Sequence, residues 1–170
     1  MARIALDAQP TRQTFELVAA GLAELHRRGL KSPSLLVFGI LDNARAIARY
    51  DDTYDCLMIN VSNEFWRDPT GTMSGLAASR FVVSDDPRAT IYHEVGHALH
   101  RRRYRLGFRW LIESSARLSE HERRIAQRVS QYACENAGEF VVEVFAGLVA
   151  GRIFDGEVMA LYQKLRGPAL

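Results

Sequence analysis

Apolar residues recur at helical spacing through residues 12–28, with Phe15, Val18, Leu22 and Leu25 on one face and Ala19 beside them. Thr11, after Pro10, is placed to cap this helix, and Gly29 to stop it. Two continuous apolar runs, Leu35–Ile40 and Cys56–Val61, read as buried strands, and Arg80–Ser84 as a third, shorter one. Asp51-Asp52 and Asp68-Pro69-Thr70-Gly71 carry turn chemistry. The second half reads as helical. Asp86-Pro87 combines an N-cap with a proline at the first helical position, opening a helix that runs to about Arg103. Ser119-Glu120-His121-Glu122 fits a capping box, followed by an apolar face of Ile125, Val129, Tyr132 and Ala133 across residues 120–133. Asn136 to Glu139 forms another cap, ahead of a strongly apolar helix ending near Gly151. Asp155 opens a last helix that stops at Gly167-Pro168. Strands first and helices later predict an α+β fold with one small sheet.

At 170 residues the chain is expected to form a single domain over residues 1–170, with a core large enough to need no disulfide staples. Cys56 and Cys134 are its two cysteines, which excludes a disulfide scaffold and a multi-cysteine metal site. No run of 18 apolar residues is present, so no membrane span is expected. The N-terminus carries Asp7 and lacks the apolar stretch of a signal peptide, so the expected location is cytoplasmic; virion association or signal-free export are the alternatives. The net charge is +2, but nine arginines against three acids (Glu113, Glu120 and Glu122) fall between His100 and Arg128. That stretch reads as a solvated helix end and the face of the next helix, in preference to a nucleic-acid surface.

The candidate chemistry begins at His93-Glu94-Val95-Gly96-His97. On a helix, histidines four apart lie one turn apart on one face and can hold one zinc ion. Glu94 is then placed toward the ion's open side, where a carboxylate can take a proton from water. Ile91, Tyr92, Val95, Ala98 and Leu99 make this helix apolar nearly all round, so its polar groups need partners. Gly96 leaves room for another backbone or a substrate to come close. A catalytic zinc site takes three protein ligands and keeps one position open. His100 shares the face of His93 but lies seven residues along, roughly 10 Å at 1.5 Å per residue, too far to be the third ligand. The longer H-E-x-x-H-x-x-G-x-x-H pattern is excluded, because positions 100 and 103 are His100 and Arg103. Cys134 reads as a small apolar residue and not as a ligand.

The better source of a third ligand is Glu139 or Glu143, two carboxylates one turn apart in an otherwise apolar helix. A buried carboxylate is costly unless paired, hydrogen-bonded or on a metal. Glu139 is the first choice as ligand. Glu143 would then hold a histidine ligand through its other ring nitrogen. From the residues alone, the two roles remain exchangeable, and pairing with the arginines is the non-metal alternative.

Together, Tyr92-His93-Glu94-Val95-Gly96-His97-Ala98-Leu99-His100 and the segment from Ser130 through Tyr132, Asn136, Glu139-Phe140 and Glu143 to Ala146 resemble the zinc metallopeptidases related to the catalytic domain of anthrax lethal factor, a group with members in phage head-associated proteins and bacterial toxins. The resemblance covers roughly residues 88–165. It implies a zincin-like fold of the gluzincin type, with a small mixed sheet against the His93 helix and a helical C-terminal half. It implies Zn2+ on His93, His97 and Glu139, and a Tyr132 that reaches the active site. Val142 stands where the family usually has alanine. Peptidases that cleave bacterial repressors share a similar histidine motif, but usually place the glutamate helix closer than the 42 residues separating His97 from Glu139.

The expected activity is hydrolysis of a protein or peptide substrate, with Glu94 as the base and Tyr132 as a donor to the oxyanion or leaving group. The peptide is expected to pair with an exposed strand, for which Arg80–Ser84 is the candidate. The competing classes are a phage or assembly protein with a structural zinc, an inactive homologue, and an Arg-rich nucleic-acid binder resting on residues 101–128 alone.

Overall fold

A computed structural model of the chain describes residues 3–109 and 117–170. Residues 1–2 and 110–116, and with them Glu113 of the arginine-rich stretch, lie outside the described residues. The fold is mixed α+β. Strands β1 (Arg3–Leu6), β2 (Leu35–Gly39), β3 (Ala48–Asp51) and β4 (Cys56–Asn60) form one sheet in the order β1-β2-β4-β3. β1, β2 and β4 run parallel, and β3 is the antiparallel edge strand, with Ala48 opposite Ile59 and Tyr50 opposite Leu57. The helix α1 (Arg12–Arg27) links β1 to β2. Thr11 caps it by accepting the Thr14 amide, and Gly29 adopts a left-handed φ of 75° just past its end.

One strand expectation and one turn expectation need correction, and two strands add to those the sequence predicts. Arg80–Ser84 is no strand: Arg80 sits at φ 59°, the carbonyls of Arg80 and Phe81 accept the amides of Gln131 and Tyr132, and the Val83 amide goes to Glu143. A segment whose backbone groups are spent this way cannot receive a peptide. β1 and β3 were not expected, being four residues each; β3, Ala-Arg-Tyr-Asp, carries charges at two of its positions. Asp68-Pro69 turns out to open a helix, α2 (Pro69–Ala78): Asp68 accepts the Gly71 amide at 2.9 Å and Pro69 starts the first turn.

The histidine-bearing helix is α3 (Ala89–Arg103). It starts later than Asp86, which instead accepts the Arg88 amide in the turn ahead of it. Ile91, Val95 and Ala98 are fully buried, and α3 packs on α1, on β3 and on the later helix Ala137–Val149. The helix α4 (Glu120–Ala126) keeps the capping box of Ser119 and Glu122 but ends well short of residue 133; Tyr132–Cys134 is a separate 3-10 turn. Then follow α5 (Ala137–Val149), capped by Asn136, and α6 (Gly156–Lys164), capped by Asp155. Among the described residues, no helix is long and apolar enough to cross a membrane.

Candidate metal centre

Two buried helices carry the centre. Asn136 starts α5 by accepting the Glu139 amide at 2.9 Å, so Glu139 lies in the first turn, facing α3. α3 and α5 pack closely because Gly96 has no side chain. A Cβ there would stand 2.9 Å from Phe145 Cδ1 and 3.3 Å from Val142 Cβ. Gly96 therefore admits side chains of α5, not a backbone or a substrate.

The result is a convergence of His93, His97 and Glu139, whose ligating atoms all lie within 4.8 Å of one another. Glu139 straddles the histidines: Oε2 is 3.0 Å from His93 Nε2, and Oε1 is 3.6 Å from His97 Nε2. Ligands bonded at 2.0–2.2 Å to one tetrahedral ion stand roughly 3.3–3.6 Å apart. The two distances bracket that separation. Moreover, Glu139 Oε2 is buried and has no aligned hydrogen bond among the described residues, despite its nearness to His93. Two atoms that touch without pointing at each other fit a common third point better than a bond between them. The donor set, two imidazoles and a carboxylate, suits zinc.

Glu143 faces the other side of His93. Its Oε1 is 3.0 Å from His93 Nδ1. Its Oε2 accepts the Ser130 hydroxyl at 2.7 Å and the Val83 amide at 2.9 Å. Because the carboxylate can only accept, Nδ1 carries a proton, which leaves Nε2, on the Glu139 side, as the nitrogen a metal would take. Ser130 is held in turn by the Ala133 amide at 3.0 Å. His97 lacks such a brace: its Nδ1 is buried with no hydrogen-bond partner among the described residues. In the metal-free protein, burial disfavours the charged form of His93, but Glu139 and Glu143 outweigh it and hold the pKa well above the usual histidine value. Burial likewise raises Glu139, yet the adjacent His97 and His93 overcome this and hold its carboxyl far below the usual range.

Glu94 lies on the cleft side of α3, where its Oε2 accepts the Tyr50 amide of β3 at 2.7 Å. Tyr132 stacks on His93, with ring centroids 5.5 Å apart, and Phe81 lies 5.6 Å beyond Tyr132. Burial, then the negative charges of Glu139, Glu94 and Glu143, push the Tyr132 phenol well above its ordinary pKa, so it stays a donor. A cavity of about 300 Å3 opens on His93, Glu94, His97, Tyr132 and Glu139, with Ala48 of β3 along its wall.

His100 is fully buried, with Nε2 2.9 Å from the Leu165 carbonyl oxygen. Burial pushes its pKa down to about 4, against the pull of that carbonyl, so it is a neutral donor tying α3 to the end of α6. Cys134 lies outside the cluster, 3.5 Å from the Ser130 carbonyl. Part of the arginine-rich stretch clamps the β3–β4 turn: Arg102 pairs with Asp55 at 3.1 Å, and Arg109 with Asp52 at 2.8 Å. Tyr50 Oη also donates to Asp55 at 2.9 Å, and its own pKa is pushed up to about 12, mainly by burial. Further on, Arg128 pairs with Asp155 and Glu157.

The contacts of Val83, Ser130 and Tyr50 with the two glutamates are not legible in the sequence. Two of the three contacts are made by backbone amides, which leave no trace in residue type. Ser130 could have been noticed only as a hydroxyl close ahead of Tyr132. No model of a known protein family, no curated protein and no solved structure matches the chain.

Proposed function

We propose that the chain is a zinc-dependent metallopeptidase with a zincin-like arrangement, acting on a protein or peptide. The observation that carries this reading is the convergence of His93, His97 and Glu139 beside a cleft that also holds Glu94. Three ligands and an adjoining cavity favour a catalytic over a closed structural site, which would use four.

Zinc, when bound, supplies a Lewis acid that polarises a peptide carbonyl and lowers the pKa of water to about 7. His93, His97 and Glu139 would hold it, and Glu143 keeps His93 in the tautomer that leaves Nε2 free. The Tyr50 amide fixes one oxygen of Glu94. The other oxygen takes a proton from the attacking water and passes it to the departing amine. Tyr132 donates a hydrogen bond to the carbonyl oxygen as negative charge builds there.

The substrate strand belongs on β3, not on Arg80–Ser84. The Ile47 carbonyl accepts the Asn60 amide, so alternation along the ladder turns Tyr50 and Ala48 outward. Glu94 takes the outward amide of Tyr50, and the amide and carbonyl of Ala48 face the cleft, where an extended peptide can pair.

Glu94→Ala tests the assignment. The variant is expected to retain zinc while its cleavage of a quenched-fluorescence peptide library falls by about 10²–10⁴-fold. Cleavage at the wild-type rate would remove Glu94 from the mechanism.

A further inference from the structure

The arginine-rich end of α3 has no part in the proposed chemistry, yet it converges on one residue of the cleft. Tyr50 lies on β3, an edge strand that pairs, among the described residues, only with β4. Its amide donates to Glu94 Oε2 at 2.7 Å. Its hydroxyl donates to Asp55 Oδ1 at 2.9 Å and accepts from Arg101 at 3.4 Å. Its ring packs with Ala98 and Phe108 in a small buried cluster apart from the main core. Glu94 and Arg101 both belong to α3, seven residues apart, or roughly 10 Å along the axis at 1.5 Å per residue. One tyrosine thus meets the same helix at both ends, with its main chain on Glu94 and its hydroxyl on the arginine two turns on. Asp55 is held in turn. Arg102 Nη2 donates to its two oxygens at 3.2 and 3.1 Å, and the Ser34 amide to Oδ2 at 3.0 Å. Arg102 also donates to the carbonyls of Lys31 and Ser32. The side chains of Arg102 and Asp55 are 34% and 26% exposed, and an ion pair so placed adds little to global stability. Its consequence is local: it decides where the Tyr50 hydroxyl, and so the outer end of β3, comes to rest. Ala48 is placed separately, by its pairing with Ile59 and by the Ile47 carbonyl, which accepts the Asn60 amide.

We infer that Tyr50 is a positioning residue for Glu94: its hydroxyl, fastened by Asp55 and Arg101, fixes the end of β3 and with it the amide that orients the carboxylate. The expected effect on turnover rests on the peptidase reading; the effect on the amide does not. Tyr50→Phe deletes the hydroxyl and keeps the ring against Ala98 and Phe108. The test uses the full chain and two readouts. The first is deuterium exchange of the residue-50 amide, followed by NMR in metal-free protein. Measured against the Asn60 amide of the same sample, it should speed up by about tenfold or more in Tyr50→Phe, and likewise in Glu94→Ala. The second is cleavage of a library peptide by the zinc-loaded chain. In Tyr50→Phe, kcat should fall by about tenfold or more, with KM and zinc affinity within about twofold of wild type. If Tyr50→Phe fails to fold, Asp55→Asn should show both changes. Asparagine tolerates the φ of 48° at this position, but offers one acceptor oxygen where Asp55 uses two. A residue-50 amide that exchanges as fast in wild type as in Glu94→Ala would overturn the contact on which the inference stands. A lowered Tm with the amide ratio unmoved, or kcat unmoved where wild type cleaves, would overturn the positioning role. A faster amide in the variants, with no peptide cleaved by wild type, would support the positioning of Glu94 and refute hydrolysis.

Discussion

Glu143→Ala removes an acceptor that three donors share: the Val83 amide, the Ser130 hydroxyl and His93 Nδ1–H. All three donor residues are buried, at 1%, 0% and 8% exposure, so water does not readily replace the lost carboxylate. Each hydrogen bond to a charged group is worth about 1.5–3 kcal/mol, and each stranded buried donor costs about 1–3 kcal/mol. The Ser130 hydroxyl can turn to another acceptor, so the sum falls short of three full penalties. We expect a loss of about 3–5 kcal/mol, in the range for breaking one side of a buried charged network. For a chain of this size, about 2–4 °C per kcal/mol places the drop in Tm at roughly 6–20 °C. The assay is thermal unfolding of metal-free protein in chelator, followed by a zinc titration of the folded variant. Zinc affinity should fall by about 10–100-fold, the usual cost of losing a histidine's supporting carboxylate. Glu139→Ala should lose zinc affinity far more than Glu143→Ala, and its metal-free Tm should fall too, because the lost carboxylate no longer pairs with the buried histidines. The reasoning fails if Glu143→Ala unfolds at the wild-type temperature in chelator, or loses zinc as completely as Glu139→Ala.

Two further outcomes follow from the same geometry. Zinc must displace the proton that Glu139 and Glu143 help His93 retain, so its binding at pH 7 should release about one proton, measured by calorimetry in buffers of different ionisation enthalpy. The sign is fixed by the raised value: the stabilisation that His93 lends the metal-free fold is full below about 6.5, the unfolded histidine value, and is lost as pH rises through the folded one, while zinc affinity climbs over the same window. Zinc uptake with no proton release would contradict it. Gly96→Ala places a methyl against Phe145 and Val142; overpacking of about 1–3 kcal/mol outweighs a helix-propensity gain of about 1 kcal/mol. Both Tm and zinc affinity should fall, because α3 and α5 between them carry all three candidate ligands. A raised Tm would show that Phe145 yields and that Gly96 does not set the helix spacing.

What could be read in the sequence was local chemistry between a side chain and its own backbone. Thr11, Ser119, Asn136 and Asp155 each cap the helix expected of them, because a cap depends on residues within three or four positions. The spacing of His93 and His97 belongs to the same class. What escaped was decided between distant segments. Arg80–Ser84 has the composition of a strand, but its hydrogen bonds go to Gln131, Tyr132 and Glu143. β3 is short and charged, and is a strand because β4 pairs with it. The two glutamates of α5 are indistinguishable by spacing. Val83 and Ser130 occupy Oε2 of Glu143 and His93 Nδ1 its Oε1, and this leaves Glu139 to face the Nε2 atoms of both histidines. The role of His100 is illegible for a similar reason, since its partner, the Leu165 carbonyl, lies 65 residues away.

A single zinc held by His93, His97 and Glu139 is the centre of the proposed function. Elemental analysis of the purified chain, dialysed after zinc is supplied, beside Glu139→Ala treated identically, tests it most directly. About one zinc per wild-type chain is expected, and its loss from the folded variant. A wild-type chain that retains no zinc, or a Glu139→Ala variant that retains as much as wild type, would contradict it.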